Sequence, residues 1–385
     1  MKKQYTYSSQ FILVCLSSLF FSASYNMLIP ELPNYLTKLG GEEYKGLIIA
    51  LFTLTAGLSR PFSGKLTDTI GRKPVLIFGA IVCVITGLFY PILTSVSGFL
   101  FLRLLHGFST GFSPTAIATY VSDIIPKDKL GEAMGIQGLC FSTGLALGPA
   151  LGSYIKLYLG YDMLFYSSSF IALVSILLVI KVKETLVVKL KFRLKSLQIS
   201  KTDIIAKEAL PAALITFITY IGFGVVLTLI PDWSDALGIV NKGIFFVAFT
   251  VSSVFVRILA GKISDIYGRI LVIKIGLLLL VLALILLGFL NTVSGMLIAA
   301  IFYGLAMGII SPTINAWTID LSNPLSKGKA IATMYIALEA GIGLGALFSG
   351  WFYNNDINNI PTTFYVSAFI GVLGILYLFK RKKQY

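Results

Sequence analysis

The chain has 385 residues, 56% of them hydrophobic and only 12% charged, with a mean hydropathy of +0.87. A soluble protein needs far more charge to cover its surface, so the composition describes a polytopic membrane protein and argues against an enzyme with an organised soluble domain. One histidine, three cysteines lodged in apolar runs (Cys15, Cys83, Cys140) and the lack of a G-x-x-x-x-G-K-[ST] loop leave no metal site, no cofactor and no ATP-driven chemistry to expect.

A helix needs about 20 mostly apolar residues to cross the hydrocarbon. After the polar start "MKKQYTYSSQ", too short for a cleaved leader, such runs fall at 11–30, 45–63, 75–93, 98–122, 131–154 and 163–181. A basic segment, "VKETLVVKLKFRLKSLQISKTDIIAKE" at 182–208, then reads as a solvated tether on the inner surface. Six further runs follow at 209–231, 242–260, 271–290, 294–318, 329–350 and 363–379. The expected architecture is all-α, with twelve transmembrane helices in two six-helix bundles, 1–181 and 209–385. With both termini in the cytoplasm, the inside segments hold 23 of the 31 Lys and Arg, including Lys2, Lys3 and the tail at 380–383. The outer loops hold only Lys38, Lys45, Lys156 and Lys242. This is the positive-inside pattern of a multi-pass protein of the cell's inner membrane, and it accounts for the net charge of +14 without a nucleic-acid partner.

The chain is one unit written twice. At an offset of 197, "GKLTDTIGRK" (64–73) returns as "GKISDIYGRI" (261–270). Arg60, Gly64, Asp68, Gly71, Arg72 and Asp123 match Arg257, Gly261, Asp265, Gly268, Arg269 and Asp320, and Gly144 and Gly148 match Gly341 and Gly345. Six spans per half give parallel repeats about an axis along the membrane normal. Two such halves with G-x-L-x-D-x-x-G-R-K between their second and third helices resemble the major facilitator superfamily, over essentially the whole chain.

The resemblance implies a transporter that moves a small molecule across the bilayer, and it gives the repeated loop a role. In the first half, Gly64 and Gly71 permit close approach or a tight turn. Asp68 can face the positive start of the eleventh helix near Lys327–Ala330, and Arg72 can reach Asp123. In the second half, Asp265 would face the start of the fifth helix and Arg269 would pair with Asp320. Together these form a cytoplasmic gate that favours the outward-open state; the bland alternative is charge that merely sets topology.

The remaining candidates follow in chain order. In the first helix, Ser22, Tyr25 and Asn26 are expected to line the substrate cavity. In the fourth, "RLLHGFSTG" (103–111) resembles the R-x-x-Q-G of drug/proton antiporters, with His106 in place of the common glutamine. Arg103 either tunes a nearby acid in an aqueous cavity or snorkels to the headgroups. His106 either relays protons or is a satisfied hydrogen-bonder. Ser109 and Ser113 extend the cavity lining. The fifth helix carries Gly144, Gly148, Pro149 and Gly152, resembling the G-x-x-x-G-P-x-x-G-G antiporter signature with Ser153 as the departure. Its glycines are expected to seal against "GIGLG" (341–345), with Pro149 deforming the helix. Tyr220, Tyr303, Asn315 and Trp317 continue the cavity in the seventh and tenth helices, and Pro114 and Pro312 are expected to break the two helices that carry them.

Glu339, deep in the eleventh helix, can carry the coupling proton, recognise a cationic substrate, or stay protonated as a hydrogen-bonder. The reading as a whole is a proton-coupled exporter of small organic compounds, acting by rocker-switch alternating access as a monomer. A proton symporter or facilitator importing a nutrient is the alternative.

Overall fold

The computed structural model describes residues 7–41, 44, 47–200, 204–239, 244–353 and 356–380. Lys2, Lys3, Lys45, Lys242 and the tail from 381 onward, all used above to orient the chain, lie outside the described residues.

The first half forms α1 (Ser9–Asn26), a short α2 (Leu32–Lys38), α3 (Leu47–Thr69), α4 (Arg72–Phe89), α5 (Val96–Ile124) and α6 (Leu130–Ile180). The second forms α7 (Leu210–Ala236), α8 (Ile244–Tyr267), α9 (Arg269–Phe289), α10 (Val293–Leu321), α11 (Lys327–Tyr353) and α12 (Ile360–Lys380). Among the described residues there are no strands. Helices are what a bilayer permits, because every backbone polar group must find its partner within the segment.

Two expectations need correcting. The loop expected at 155–162 is absent: the fifth and sixth spans are the two arms of α6, and only Gly160, at φ 85° and ψ −178°, leaves helical geometry. The intervening "YIKLYL" has no breaker, so the helix continues until a residue without a Cβ turns it. Pro114, Pro149 and Pro312 likewise sit inside continuous helices. Neither lining helix is interrupted, although each proline still removes one backbone donor.

Among the described residues, eight helices are long and apolar enough to cross a membrane, or nine if α8, bent by 44° around Ile258, is one span. At 51 residues α6 is long enough for two crossings. α1 and α5, rich in serine and threonine, fall short of that measure of length and apolarity. With them, the two arms of α6 and the remaining long helices give the twelve crossings of the fold.

By contact the chain forms two compact units. One gathers Met1–Ile125, Leu139–Ala206 and Ser322–Ala332; the other gathers Pro126–Gly138, Lys207–Leu321 and Thr333–Tyr385. The first turns of α6 and α11 therefore pack with residues of the opposite sequence half. In the first unit, hydroxyls tie helices together: Ser17 and Ser175 meet at 2.8 Å, and Ser168 donates to the Ser24 carbonyl at 2.7 Å. Such bonds contribute about 0.6–2 kcal/mol where lipid is as apolar as the core. The second unit relies on close packing of a large apolar cluster that includes Trp233, Leu277, Leu284, Met296 and Phe364. Outward-facing side chains such as Leu58, Phe255 and Phe369 are apolar and exposed, as a lipid-facing surface requires.

Candidate functional site

The repeated decapeptide builds a clasp in each unit. In the first, Gly64 lies so close to α11 that an added Cβ would come within 2.8 Å of the Ala332 Cβ. One turn on, the Asp68 carboxylate accepts the amides of Gly328 at 2.8 Å and Lys329 at 2.9 Å, the free donors at the start of α11. Gly71 turns the chain with φ +134°, which sends α4 back into the bundle. Arg72 then donates from Nε to Asp123 at 2.9 Å and from a terminal nitrogen to the Thr67 carbonyl at 2.8 Å. Asp123 also accepts from Thr185 at 2.7 Å and Lys327 at 2.9 Å.

The second unit repeats the pattern. Asp265 accepts the amides of Gly131 at 2.7 Å and Glu132 at 2.9 Å, at the start of α6. Arg269 donates from Nε to Asp320 at 2.8 Å and also pairs directly with Asp265 and Ser264. Gly261 and Gly131 bring the backbones of α8 and α6 together, where a Cβ on either would strike the other's carbonyl oxygen.

Sequence reasoning did not foresee Glu184 and Thr185. The linker that carries them is docked, not free. One Glu184 oxygen accepts the Arg72 amide and the other the Lys73 amide, both at 3.0 Å, so this carboxylate caps α4. Further along, Leu190 donates to the Thr69 carbonyl at 2.8 Å and Lys65 donates to the Gln198 carbonyl at 2.7 Å. An acid in a basic stretch was the one available signal.

The glycine runs have a different partner from the one expected. Cβ atoms on Gly144, Gly148 and Gly152 would meet the carbonyls of Leu19, Ala23 and Met27, so this face of α6 lies on α1. Gly341 and Gly345 lie in the same way on Phe217 and Ile221 of α7. Each run packs against the first helix of its own half, because small residues encode close approach without naming the neighbour.

Arg103 does not snorkel. It is 1% exposed, donates to the Ile48 carbonyl at 3.0 Å and the Tyr90 hydroxyl at 3.4 Å, and lies 4.6 Å from the Phe52 ring centroid. Among the described residues no carboxylate is within ion-pair distance of it. His106 is fully buried beside it, with Nδ1 3.3 Å from the same Tyr90 hydroxyl and, among the described residues, no hydrogen-bond partner on Nε2. The three side chains form a polar row inside the first unit.

Glu339 is half-buried on α11. It, Arg257 and Ser311 all interact with Tyr220 on α7. Arg257 is a third residue missed at the sequence level, where it counted only as a repeat match. Of the expected lining residues, Ser22, Ser109, Ser113 and Tyr303 are fully buried. Ser113 donates to the Leu76 carbonyl at 2.9 Å and Ser109 to that of His106 at 2.7 Å, so these hydroxyls are engaged inside their bundle. Asn26, also buried, donates to the Ser22 carbonyl at 2.7 Å, and Tyr25 stands 6.1 Å from Phe52. Asn315 is half-buried, and Trp317 lines a cavity at the start of α9.

A family model described as Major Facilitator Superfamily matches residues 14–204 and 212–385. The chain belongs to this superfamily. It is therefore a multi-pass membrane transporter of small molecules and not an enzyme. Multidrug resistance protein 2 of Bacillus subtilis is 27% identical over 401 residues, covering 100% of this chain and 98% of that protein. The multi-drug resistance efflux pump PmrA of Streptococcus pneumoniae is 33% identical over 168 residues, 42% of each chain. In fold, the human organic anion transporter MFSD10 superposes with a TM-score of 0.85 at 18% identity, covering 96% of this chain and 99% of that one.

Proposed function

We propose that this major facilitator exports small organic compounds in exchange for protons, by rocker-switch alternating access. It acts as a monomer in the cytoplasmic membrane with both termini inside. The observation that carries the reading is the end-to-end likeness to a multidrug resistance protein. The clasps support it. Each joins a loop acid to the amides at a helix start, and a clasp contributing about 1.4 kcal/mol biases a two-state equilibrium tenfold. Within this reading the clasps hold the cytoplasmic side closed and come apart as the two sequence halves rock. Glu339 carries the proton or meets a cationic substrate, with the Arg103–Tyr90–His106 row as the second candidate for coupling.

The test is proton flux in inside-out vesicles with a respiration-driven ΔpH reported by a fluorescent dye, using cationic, neutral and anionic compounds. Substrate-triggered dye recovery is expected, with at least a tenfold loss in Glu339→Gln. Recovery that persists in the variant moves the proton to the Arg103 row. No recovery, together with uptake of labelled compound by whole cells, rejects export and leaves nutrient import.

A further inference from the structure

Each half lays its first helix on the glycine run of its fifth span by one scheme. In the first half, Leu19, Ala23 and Met27 of α1 face Gly144, Gly148 and Gly152 of α6, always at a separation of 125. The two helices therefore run parallel and in register, since residues four apart stay on one helix face. One turn earlier the same separation pairs Cys15 with Cys140. There the two thiols are in hydrogen-bond contact, inside the first unit. Taken singly, each cysteine is a small buried apolar side chain, and packing asks no more of it. The second half shows that packing here does not need sulfur. Phe217 and Ile221 face Gly341 and Gly345 at a separation of 124, and one turn earlier that register pairs Ala213 with Ala337. Cys83 supplies a contrast within the first half: it is fully buried, and its partners are the hydroxyls of Ser24 and Ser109.

A disulfide spans Cα atoms about 4.4–6.8 Å apart. The glycines of α6 bring its backbone onto α1 immediately beyond the cysteine pair, which is the close approach such a bond requires. The two sulfurs are unequally placed. Cys15 is 4% exposed and Cys140 is half-buried, so Cys140 is the sulfur that a small oxidant reaches first. We propose that Cys15 and Cys140 form a redox-active dithiol, which hydrogen peroxide oxidises to a disulfide joining α1 to the first arm of α6. The Cys140 sulfur attacks the O–O bond, keeps one oxygen as a sulfenic acid and releases the other as water. The Cys15 sulfur then attacks that of Cys140; the S–O bond breaks, and the hydroxyl leaves as water with the Cys15 proton. In all, the two thiols give up two electrons and two protons, and the peroxide becomes two waters.

The test treats the purified full-length protein with hydrogen peroxide, unfolds it and alkylates it with a maleimide before intact-mass and peptide analysis. Untreated protein should take a label on each of Cys15, Cys83 and Cys140. Treated protein should take its label on Cys83 alone, yield a linked Cys15–Cys140 peptide, and recover all its labels after dithiothreitol. C83S should form the same bond, whereas C15S and C140S should not. In C15S, peroxide should instead carry Cys140 on to the sulfinic acid. Full labelling of the native protein after peroxide overturns the proposal. So does a bond between two copies of the chain, or sulfinic acid on Cys140 while Cys15 still takes its label. The native protein alone decides these outcomes, whether or not a variant folds, and none of them is read through transport.

Discussion

The two clasps grow from the same decapeptide and end with different wiring. In the first, Arg72 rests on Asp123 and stands 4.0 Å from Asp68, while Thr185 and Lys327 also serve Asp123. In the second, Arg269 alone joins Asp265 to Asp320, and the Asp320 side chain is 32% exposed against 14% for Asp123. Duplication copied the acids and arginines. What surrounds them was supplied separately: a docked linker on one side, an open cavity on the other. Asp68 and Asp265 each keep two backbone amides, so the contrast lies in the other acid: Asp123 has several partners, whereas Asp320 hangs on one guanidinium.

That contrast orders the expected effects of substitution. Arg269→Ala takes from Asp320 its one side-chain partner among the described residues, while Asp265 keeps its two amides, and the loss of a charge-assisted bond costs about 1.5–3 kcal/mol. Arg72→Ala should cost less, because Asp123 keeps Lys327 and Thr185 and Asp68 likewise keeps its two amides. Thermal unfolding of the purified variants reads the difference, and the reverse order would break the comparison. Next come the turns. A side chain at positive φ costs of order 1–3 kcal/mol, so both Gly71→Ala and Gly268→Ala should destabilise. Gly71→Ala should lose more, since its Cβ would run into the Glu184 carboxylate; equal losses would mean that the carboxylate moves aside freely. The smallest effect belongs to Glu184→Gln. Loss of a charged cap should lower stability by about 0.5–2 kcal/mol, an effect with no counterpart in the second half. If Glu184→Gln leaves the unfolding temperature unchanged, the linker is docked without being needed.

Much of this was legible in the sequence because the informative residues are rare. A glycine, an acid and an arginine are conspicuous in an apolar chain, and the fixed spacing between copies gave the repeat, the family and the clasp residues. Partners across the chain were less legible. The glycines of α6 indicated that some backbone must come close, but α1 was not nameable from them. Glu184 sits among lysines, where sequence composition suggests solvation, and its role depends on meeting a helix start more than a hundred residues away. Arg103 read as a cavity residue ahead of the duller headgroup role, and its contacts with Ile48, Phe52 and Tyr90 place it inside the bundle. The missing loop between the arms of α6 escaped because a single glycine suffices for the turn.

Asp68 and Asp265 bind backbone amides, not side chains, and this makes each lock one-sided genetically. Every residue except proline offers the same N–H, so the receiving positions can drift without loss of the bond. At Lys329 the bond to Asp68 needs only the amide. Gly328 is limited by packing instead, since a Cβ there would come within 2.8 Å of the Gly64 carbonyl oxygen. Each acid, by contrast, has no silent substitute. Variants that unfasten the transporter should therefore accumulate at the two aspartates, and at the opposite helix starts a laboratory selection should find them only at the packed glycines, Gly328 and Gly131.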